Sequence, residues 1–346
     1  MMKKSRQPTI HDVAENAGVS IKTVSRVLNN EGNVTPETRS RVVEAIRVLN
    51  YRPNISARSL SGQRSYLIGL IYDNPSMSYM TNVIMGVMTA CKKHGHHLII
   101  EEVDGKSDNI VEAVSELALQ SAADGVVLIQ PICNNVDVLA SLRSCSTPFV
   151  CIAPDDVSDA LLSVRMDDYQ AAYDLTEYLI SLGHKDIAFI KGPADYYASR
   201  IRFNGFKDAL IHHGLSINSE YIVQGAFSYR SGLECAEQLL SYSSKRPTAI
   251  FAGNDDMAAA VIATAHKLDI DVPGEISVAG FDDSPMASTI WPQLTTIHQP
   301  ITDMASAAVD LLIDRAGGKG LNRDDREERL LSFKLMIRQS TAPPKR

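Results

Sequence analysis

The sequence predicts two unlike parts: a small all-α module in residues 1–64 and a large α/β body built on two parallel sheets. Three observations carry this. Residues 1–64 hold 11 Lys and Arg against 5 Asp and Glu, a net +6, whereas the rest hold 23 against 36, a net −13. Apolar residues recur at helical spacing in the first part, but in short continuous runs in the second. Those runs alternate with longer helix-like stretches. With 346 residues, the chain is long enough for two or three domains and a sizeable core. A basic module on an acidic body suggests a polyanion partner for the module alone.

The module is legible element by element. Ile10, Val13, Ala14 and Ala17 have helical spacing. Thr9 with Asp12 three residues on has the form of a capping box, and Gly18 is a helix stop. A second helix starts after Ser20, a natural N-cap, and turns Val24, Val27 and Leu28 inward. Ile21, Lys22, Ser25, Arg26 and Asn29 lie on its other side. Two helices joined by so short a turn cross steeply, as in a helix-turn-helix, whose second helix can enter a major groove. The stretch "GVSIKTVSRVLN" contains no acidic residue. Lys22 and Arg26, four apart, repel by about 0.2–0.5 kcal/mol on an isolated helix, and phosphates or guanine acceptors would reverse that sign. A third helix, capped by Thr35 with Pro36 at its first position, supplies Val42, Ala45, Ile46 and Leu49 to one small core. Protein-interaction modules can share this pattern; the charge favours DNA.

After "YRPN", the stretch "NISARSLSG" carries Asn54 as an N-cap, a short helix and a stop at Gly62. Ala57 and Leu60 share one face, among polar neighbours. A helix this short does not persist alone in water. It is either a plain linker or a segment that folds on DNA, with Leu60 as a minor-groove wedge and Arg58 on the backbone or groove.

The stretches "TIHDVAENAGVSIKTVSRVLN" and "VTPETRSRVVEAIRVLNYRPNISARSLSG", the opening "IGLI", then "LTTIHQP" and "IRQST" resemble the LacI/GalR family of bacterial transcription regulators nearly end to end. The resemblance implies a helix-turn-helix headpiece (1–52), a hinge helix and linker (53–64), a two-lobed α/β periplasmic-binding-protein-like effector domain (65–340) and a tail (341–346). It implies base reading by Ile21, Lys22 and Arg26, and minor-groove insertion by Ala57 and Leu60. Thr9, Ser20, Thr23, Ser25, Asn29, Asn54 and Arg58 complete the expected DNA-binding set. It also implies a dimer on a pseudo-palindromic double-stranded operator.

In the body, the predicted strands are "YLIGLIY", "HLIIEEV", "GVVLIQ", "FVCIA", "DIAFIK", "TAIFAG" and "ISVAGF", each continuously apolar as strands buried on both faces are. Helix-like stretches lie around 78–93, 108–121, 168–182, 198–213, 229–241 and 254–267. Ligands of such sheets bind beyond the carboxyl ends of strands. There the sequence is polar: Asp73 and Asn74, Asn254 and Asp255, Asp282 and Asp283, His298 and Gln299, with Arg202 and Phe227 in nearby segments. Carboxylates, amides, one guanidinium and an aromatic ring suit a polyhydroxylated ligand. A turn-forming or helix-capping role would explain any one of the acids equally well. By resemblance, Arg202, Phe227, Asn254, Asp282 and Gln299 fall at effector-contacting positions, joined by Asp73, Asn74 and Tyr79. Some sugar-binding members carry Asp where this chain has Ala153. The family takes sugars, sugar phosphates and purines, so the expected effector is a sugar or sugar phosphate, with a purine or other non-sugar as the alternative.

Other functions fare worse. Adjacent Asp282 and Asp283 point apart on an extended segment and cannot flank one bond. No G-x-S-x-G, phosphate-loop or dinucleotide fingerprint occurs. In "HGHH", a helix ending at His94 with Gly95 as its stop explains the histidines without a metal. No cofactor is expected. The five cysteines form no C-x-x-C pair and read as reduced thiols of the cytosol. The N-terminus lacks an apolar core, and no stretch reaches the ~18 apolar residues of a membrane span. A cytoplasmic protein is therefore expected, rather than a solute-binding protein without a DNA role. "TAPPKR" carries no heptads, so a dimer is expected rather than a tetramer.

Overall fold

The computed structural model describes residues 8–28, 32–51, 65–120, 123–155, 161–241, 246–316 and 326–345. It divides into two compact units, Met1–Tyr66 and Leu67–Arg346.

In the first unit, α1 (Ile10–Ala17), α2 (Ile21–Leu28) and α3 (Pro36–Val48) pack Val13, Ala14, Ala17, Val24, Val27, Val42 and Ala45 into one core. The caps are those the sequence predicts. The Asp12 carboxylate accepts from the Thr9 N–H at 2.6 Å, Ser20 Oγ accepts from Thr23 N–H at 3.2 Å, and Thr35 Oγ1 accepts from Thr38 N–H at 3.3 Å. Gly18 ends α1 at φ +63°. Arg41 of α3 donates to the carbonyls of Ala17 and Gly18, tying the third helix to the turn between the first two.

The second unit has two lobes. One holds a parallel six-stranded sheet, ordered β11-β5-β4-β3-β1-β2. These are β1 (Leu67–Tyr72), β2 (His97–Glu102), β3 (Gly125–Ile129), β4 (Phe149–Ile152), β5 (Leu162–Met166) and β11 (Glu327–Leu331). Its helices are α4 (Met77–His94), α5 (Ile110–Gln120), α6 (Val136–Ser144) and α12 (Ile301–Ala316). α12 lies so close on α4 that a Cβ at Gly86 would sit 2.3 Å from the Thr302 carbonyl oxygen. α4 ends at His94 with Gly95 at φ +70°.

The other lobe has a parallel sheet ordered β7-β6-β8-β9, from β6 (Ile187–Lys191), β7 (Ile222–Gln224), β8 (Ala249–Ala252) and β9 (Ser277–Ala279). An antiparallel pair, β10 (Thr296–His298) and β12 (Lys334–Met336), joins it through the Ala279–Thr295 and Asp282–His298 bridges. The helices are α7 (Asp168–Ser181), α8 (Tyr197–His212), α9 (Tyr229–Leu240), α10 (Asp255–Lys267) and the short α11 (Pro285–Thr289). The chain passes between lobes three times: from β5 to α7, from β10 to α12 and from β11 to β12.

The structure corrects the sequence reading in two ways. β2 is not buried on both faces: it is the sheet's edge and largely exposed. β5, β7, β10, β11, β12, α6, α11 and α12 had no counterpart among the predicted elements. β7, β10 and β12 are only three residues long, while β11 alternates exposure along the opposite edge. Such strands lack a continuous apolar run.

Candidate functional site

The carboxyl ends of β1, β3 and β4 in one lobe, and of β6, β7, β8 and β9 in the other, face a shared narrow cleft. Of the eight residues expected at an effector, seven line it: Asn74, Tyr79, Arg202, Phe227, Asn254, Asp282 and Gln299. Asp73 does not. Its carboxylate turns to the Gly105 N–H, 3.1 Å away, and only its backbone carbonyl engages the other lobe, accepting from the Tyr196 hydroxyl at 2.6 Å. His298 also turns aside, pairing with Asp283 at 2.9 Å.

Arg202 is the centre of the site. Its Nε donates to Asp168 Oδ1 at 2.8 Å, its Nη1 donates to the Gly253 carbonyl at 2.8 Å, and Asp282 Oδ1 stands 3.9 Å from Nη1. Its guanidinium lies 3.7 Å from the Phe281 ring centroid and 5.7 Å from that of Phe227. Charge-assisted bonds of this kind hold an otherwise floppy side chain in one rotamer. Gln299 Nε2 donates to Asp282 Oδ1. Burial pushes the Asp282 carboxyl well above its usual range, against the pull of Arg202.

Asn254 is spent on architecture: its Oδ1 accepts from Met257 N–H, capping α10, and its Nδ2 donates to the Phe227 carbonyl, each at 3.0 Å. This holds Phe227 at φ +53°, a strained value for a non-glycine residue, and so sets the ring as an aromatic wall. The Tyr79 phenol is pushed up by burial and then by Asp282 and Asp168.

Sequence reasoning missed Ser76, Gln130, Asp168, Tyr196 and Ala198 in this lining. Gln130 directly follows β3 and was open to the strand-end rule. Asp168 was not, because its role appears only when it meets Arg202, 34 residues on. Asp255, flagged by that rule, serves the fold: it accepts from Ser284 N–H at 2.7 Å and Thr296 Oγ1 at 2.6 Å, and burial pushes its carboxyl up to about 7. Asp256 accepts from Ser76 Oγ at 2.8 Å and Ser78 Oγ at 3.0 Å across the lobe boundary.

On the headpiece, α2 exposes Ile21 and Lys22, with Thr23, Ser25 and Arg26 half-buried; Ser20 is exposed and Thr9 half-buried. One face of α2 thus carries a basic, hydroxyl-bearing surface of the kind that meets a groove. Asn29, Asn54, Ala57, Arg58 and Leu60 lie outside the described residues. Among the described residues, no three His, Cys, Asp or Glu side chains are placed to hold a metal ion, and no helix is long and apolar enough to cross a membrane.

Residues 9–54 match the family described as bacterial regulatory proteins, lacI family, and residues 176–341 match the periplasmic binding protein-like domain. The chain is 34 % identical over 340 residues to catabolite control protein A of Priestia megaterium, covering 96 % of this chain and 99 % of that one. It is 34 % identical over 313 residues to the ribose operon repressor of Escherichia coli K12, covering 89 % and 92 %. Its fold matches the lac repressor dimer bound to operator and an anti-inducer, with a TM-score of 0.79 at 28 % identity over 97 % of this chain and 100 % of that one. A recognition-helix headpiece ahead of a two-lobed ligand-type cleft, with similarity sustained along almost the whole chain, shows that this protein belongs to the lacI family and is a DNA-binding transcriptional regulator.

Proposed function

We propose that this regulator is a repressor of carbohydrate-use genes whose operator affinity is switched by a neutral, unphosphorylated sugar held in the interlobe cleft. The observation that carries this is the polarity of the cleft: two buried acidic side chains, Asp168 and Asp282, flank Arg202, which is the one cation among the described lining residues and is already engaged. A phosphate would find no uncommitted cation in the described lining, because Arg202 is already bonded to Asp168 and to the Gly253 carbonyl. A polyol meets carboxylate and amide acceptors for its hydroxyls, and the Phe227 ring for its apolar face.

Operator reading falls to Ile21, Lys22, Thr23, Ser25 and Arg26 of α2, flanked by Thr9 and Ser20, with Asn29, Asn54, Ala57, Arg58 and Leu60 as the family resemblance implies. The working form is a homodimer. Its support is the outer face of α4, where Met77, Met85 and Met88 are 72 %, 48 % and 46 % exposed, together with Ile100 on the edge strand β2. An apolar, adaptable methionine surface of this kind favours a protein partner. The sugar acts only through its differential affinity for two lobe arrangements; turning a 99:1 mixture into 1:99 takes about 5.5 kcal/mol of that difference.

Thermal denaturation of the full chain with D-ribose, D-glucose, D-galactose and their phosphates tests the reading. A bound sugar at 100 times its Kd adds about 2.7 kcal/mol. Stabilisation by phosphorylated sugars alone would overturn the neutral-ligand assignment.

A further inference from the structure

Asp282 and Asp283 hold consecutive positive φ angles, +126° and +55°. Residues other than glycine enter that half of the map at a cost. Strain of this kind persists only where the surroundings over-determine the backbone, and it concentrates at ligand clamps and switch regions. At this turn the two side chains part: Asp282 lines the cleft, whereas Asp283 does not. Each oxygen of the Asp283 carboxylate has its own partner. Oδ1 accepts from Arg338 Nη2 at 2.5 Å, and Oδ2 meets His298 Nδ1 at 2.9 Å. The Asp283 and Arg338 side chains are only 14 % and 16 % exposed, so their charge-assisted bond is sheltered from the screening that weakens surface pairs.

Both partners stand on strands that run between the lobes. His298 ends β10, from which the chain passes to α12 in the first lobe, and Arg338 lies two residues past β12, which the chain reaches from β11. Arg338 is itself fixed: its Nη1 donates to the Leu294 carbonyl at 2.9 Å, and its backbone N–H donates to Thr295 Oγ1 at 3.0 Å. Asp283 therefore ties two of the three interlobe passages together, at the residue next to the acid that faces the cleft. The backbone carries the tie onward, since Asp282 N–H donates to the Ile297 carbonyl at 2.9 Å and Ser284 N–H to Asp255 Oδ2 at 2.7 Å.

We propose that Asp283 is a positioning residue: clamped between Arg338 and His298, it holds the strained turn that aims Asp282 into the cleft. The assignment rests on the cleft being the effector site. Asp283, His298 and Arg338 are not among the described residues lining the cleft, so the clamp acts on a ligand only through Asp282. Without it the turn relaxes towards negative φ, and rotation of the backbone swings the Asp282 carboxylate away from Gln299 and Arg202. A shift of either interlobe strand reaches Asp282 by the same route, which joins lobe arrangement to ligand contact. A residue that adopts φ +55° without cost should need no such clamp.

Asp283→Ala and Asp283→Gly delete the same carboxylate, but only glycine accepts the turn's backbone without strain, so comparing them tests this. Calorimetric titration of the full-length protein with D-ribose, D-glucose and D-galactose reads the effect. Asp283→Ala is expected to weaken the best-binding sugar about tenfold, and Asp283→Gly to stay within about threefold of the parent. Arg338→Leu, which keeps Asp283 but removes its main partner, is expected to match Asp283→Ala. Without sugar, hydrogen exchange of the peptide spanning residues 280–286 is expected to be about fivefold faster than the parent in Asp283→Ala and in Arg338→Leu. Parental sugar affinity in both of those variants overturns the positioning role. An equal loss in Asp283→Ala and Asp283→Gly overturns strain as what the clamp holds. If none of the sugars binds the parent, the cleft assignment fails, whereas the sugar-free exchange still decides the clamp: a parental rate in Asp283→Ala overturns it.

Discussion

Arg202 and Asp168 form a buried ion pair, Nε to Oδ1 at 2.8 Å, in which neither side chain is as much as a tenth exposed. Removing one partner of such a pair costs about 3–5 kcal/mol, because the other is left charged and dry. Arg202→Ala is therefore expected to be strongly destabilised in urea unfolding and to lose its sugar response. Replacing both residues, as Arg202→Met with Asp168→Leu, should recover most of the stability but not the response. Near-parental stability of Arg202→Ala alone would contradict the pairing.

For the headpiece, Arg26→Ala is expected to weaken binding to a selected operator by about 1–3 kcal/mol and to blunt discrimination against random duplex. Fluorescence anisotropy over a salt series checks both. A loss equal on operator and random DNA would make Arg26 a phosphate contact instead of a base reader.

Asp256 accepts two hydroxyls from the opposite lobe while 8 % exposed. Asp256→Ala strands Ser76 and Ser78 and opens the lobe boundary, so the sugar must do more work to close it. Sugar affinity is expected to fall about tenfold or more, since a hydrogen bond to a charged group contributes about 1.5–3 kcal/mol. Calorimetric titration reads this directly. A Ser76→Ala, Ser78→Ala double variant should reproduce the loss.

Asp255 titrates at about 7 in the folded chain, against 3.8 for an ordinary aspartate, chiefly because burial disfavours its charge. Between those values the folded state binds more protons than the unfolded state, so stability falls as pH rises. Its contribution is present below about 4, declines towards 7 and is flat above. Asp255→Asn should abolish this decline, seen as a parent-minus-variant difference in thermal midpoint across pH 4–8. A difference independent of pH would show that the parent carboxylate is charged throughout.

Charging the outer face of α4 should separate the subunits. Met85→Lys with Met88→Lys is expected to move sedimentation of the micromolar protein from dimer to monomer and to weaken operator binding, with the fold of each chain retained. A parental sedimentation coefficient would place the dimer contact elsewhere.

Local chemistry was legible where it acts within a few residues. Thr9 with Asp12, Ser20, Thr35, Gly18 and Gly95 mark their helix ends correctly because capping is a short-range affair. The strand-end rule located Asn74, Asn254 and Asp282, since a parallel sheet puts every carboxyl terminus on one side. What stayed hidden was long-range: Asp168 beneath Arg202, Gln130 at the head of α8, and Asp73 drawn to Gly105. Edge strands escaped for a related reason, as β11 owes its pairing to β5, 165 residues earlier, and not to its own apolar content.

The three passages between lobes mean that neither lobe is a continuous piece of polypeptide. The six-stranded sheet awaits β11 and the cover of α12, and the other lobe awaits β12. During synthesis, then, the DNA-reading headpiece emerges first, while both halves of the switch reach completion only with the final few dozen residues. A nascent or truncated chain would have a recognition surface without a finished ligand gate, so intact translation is what brings the two under common control.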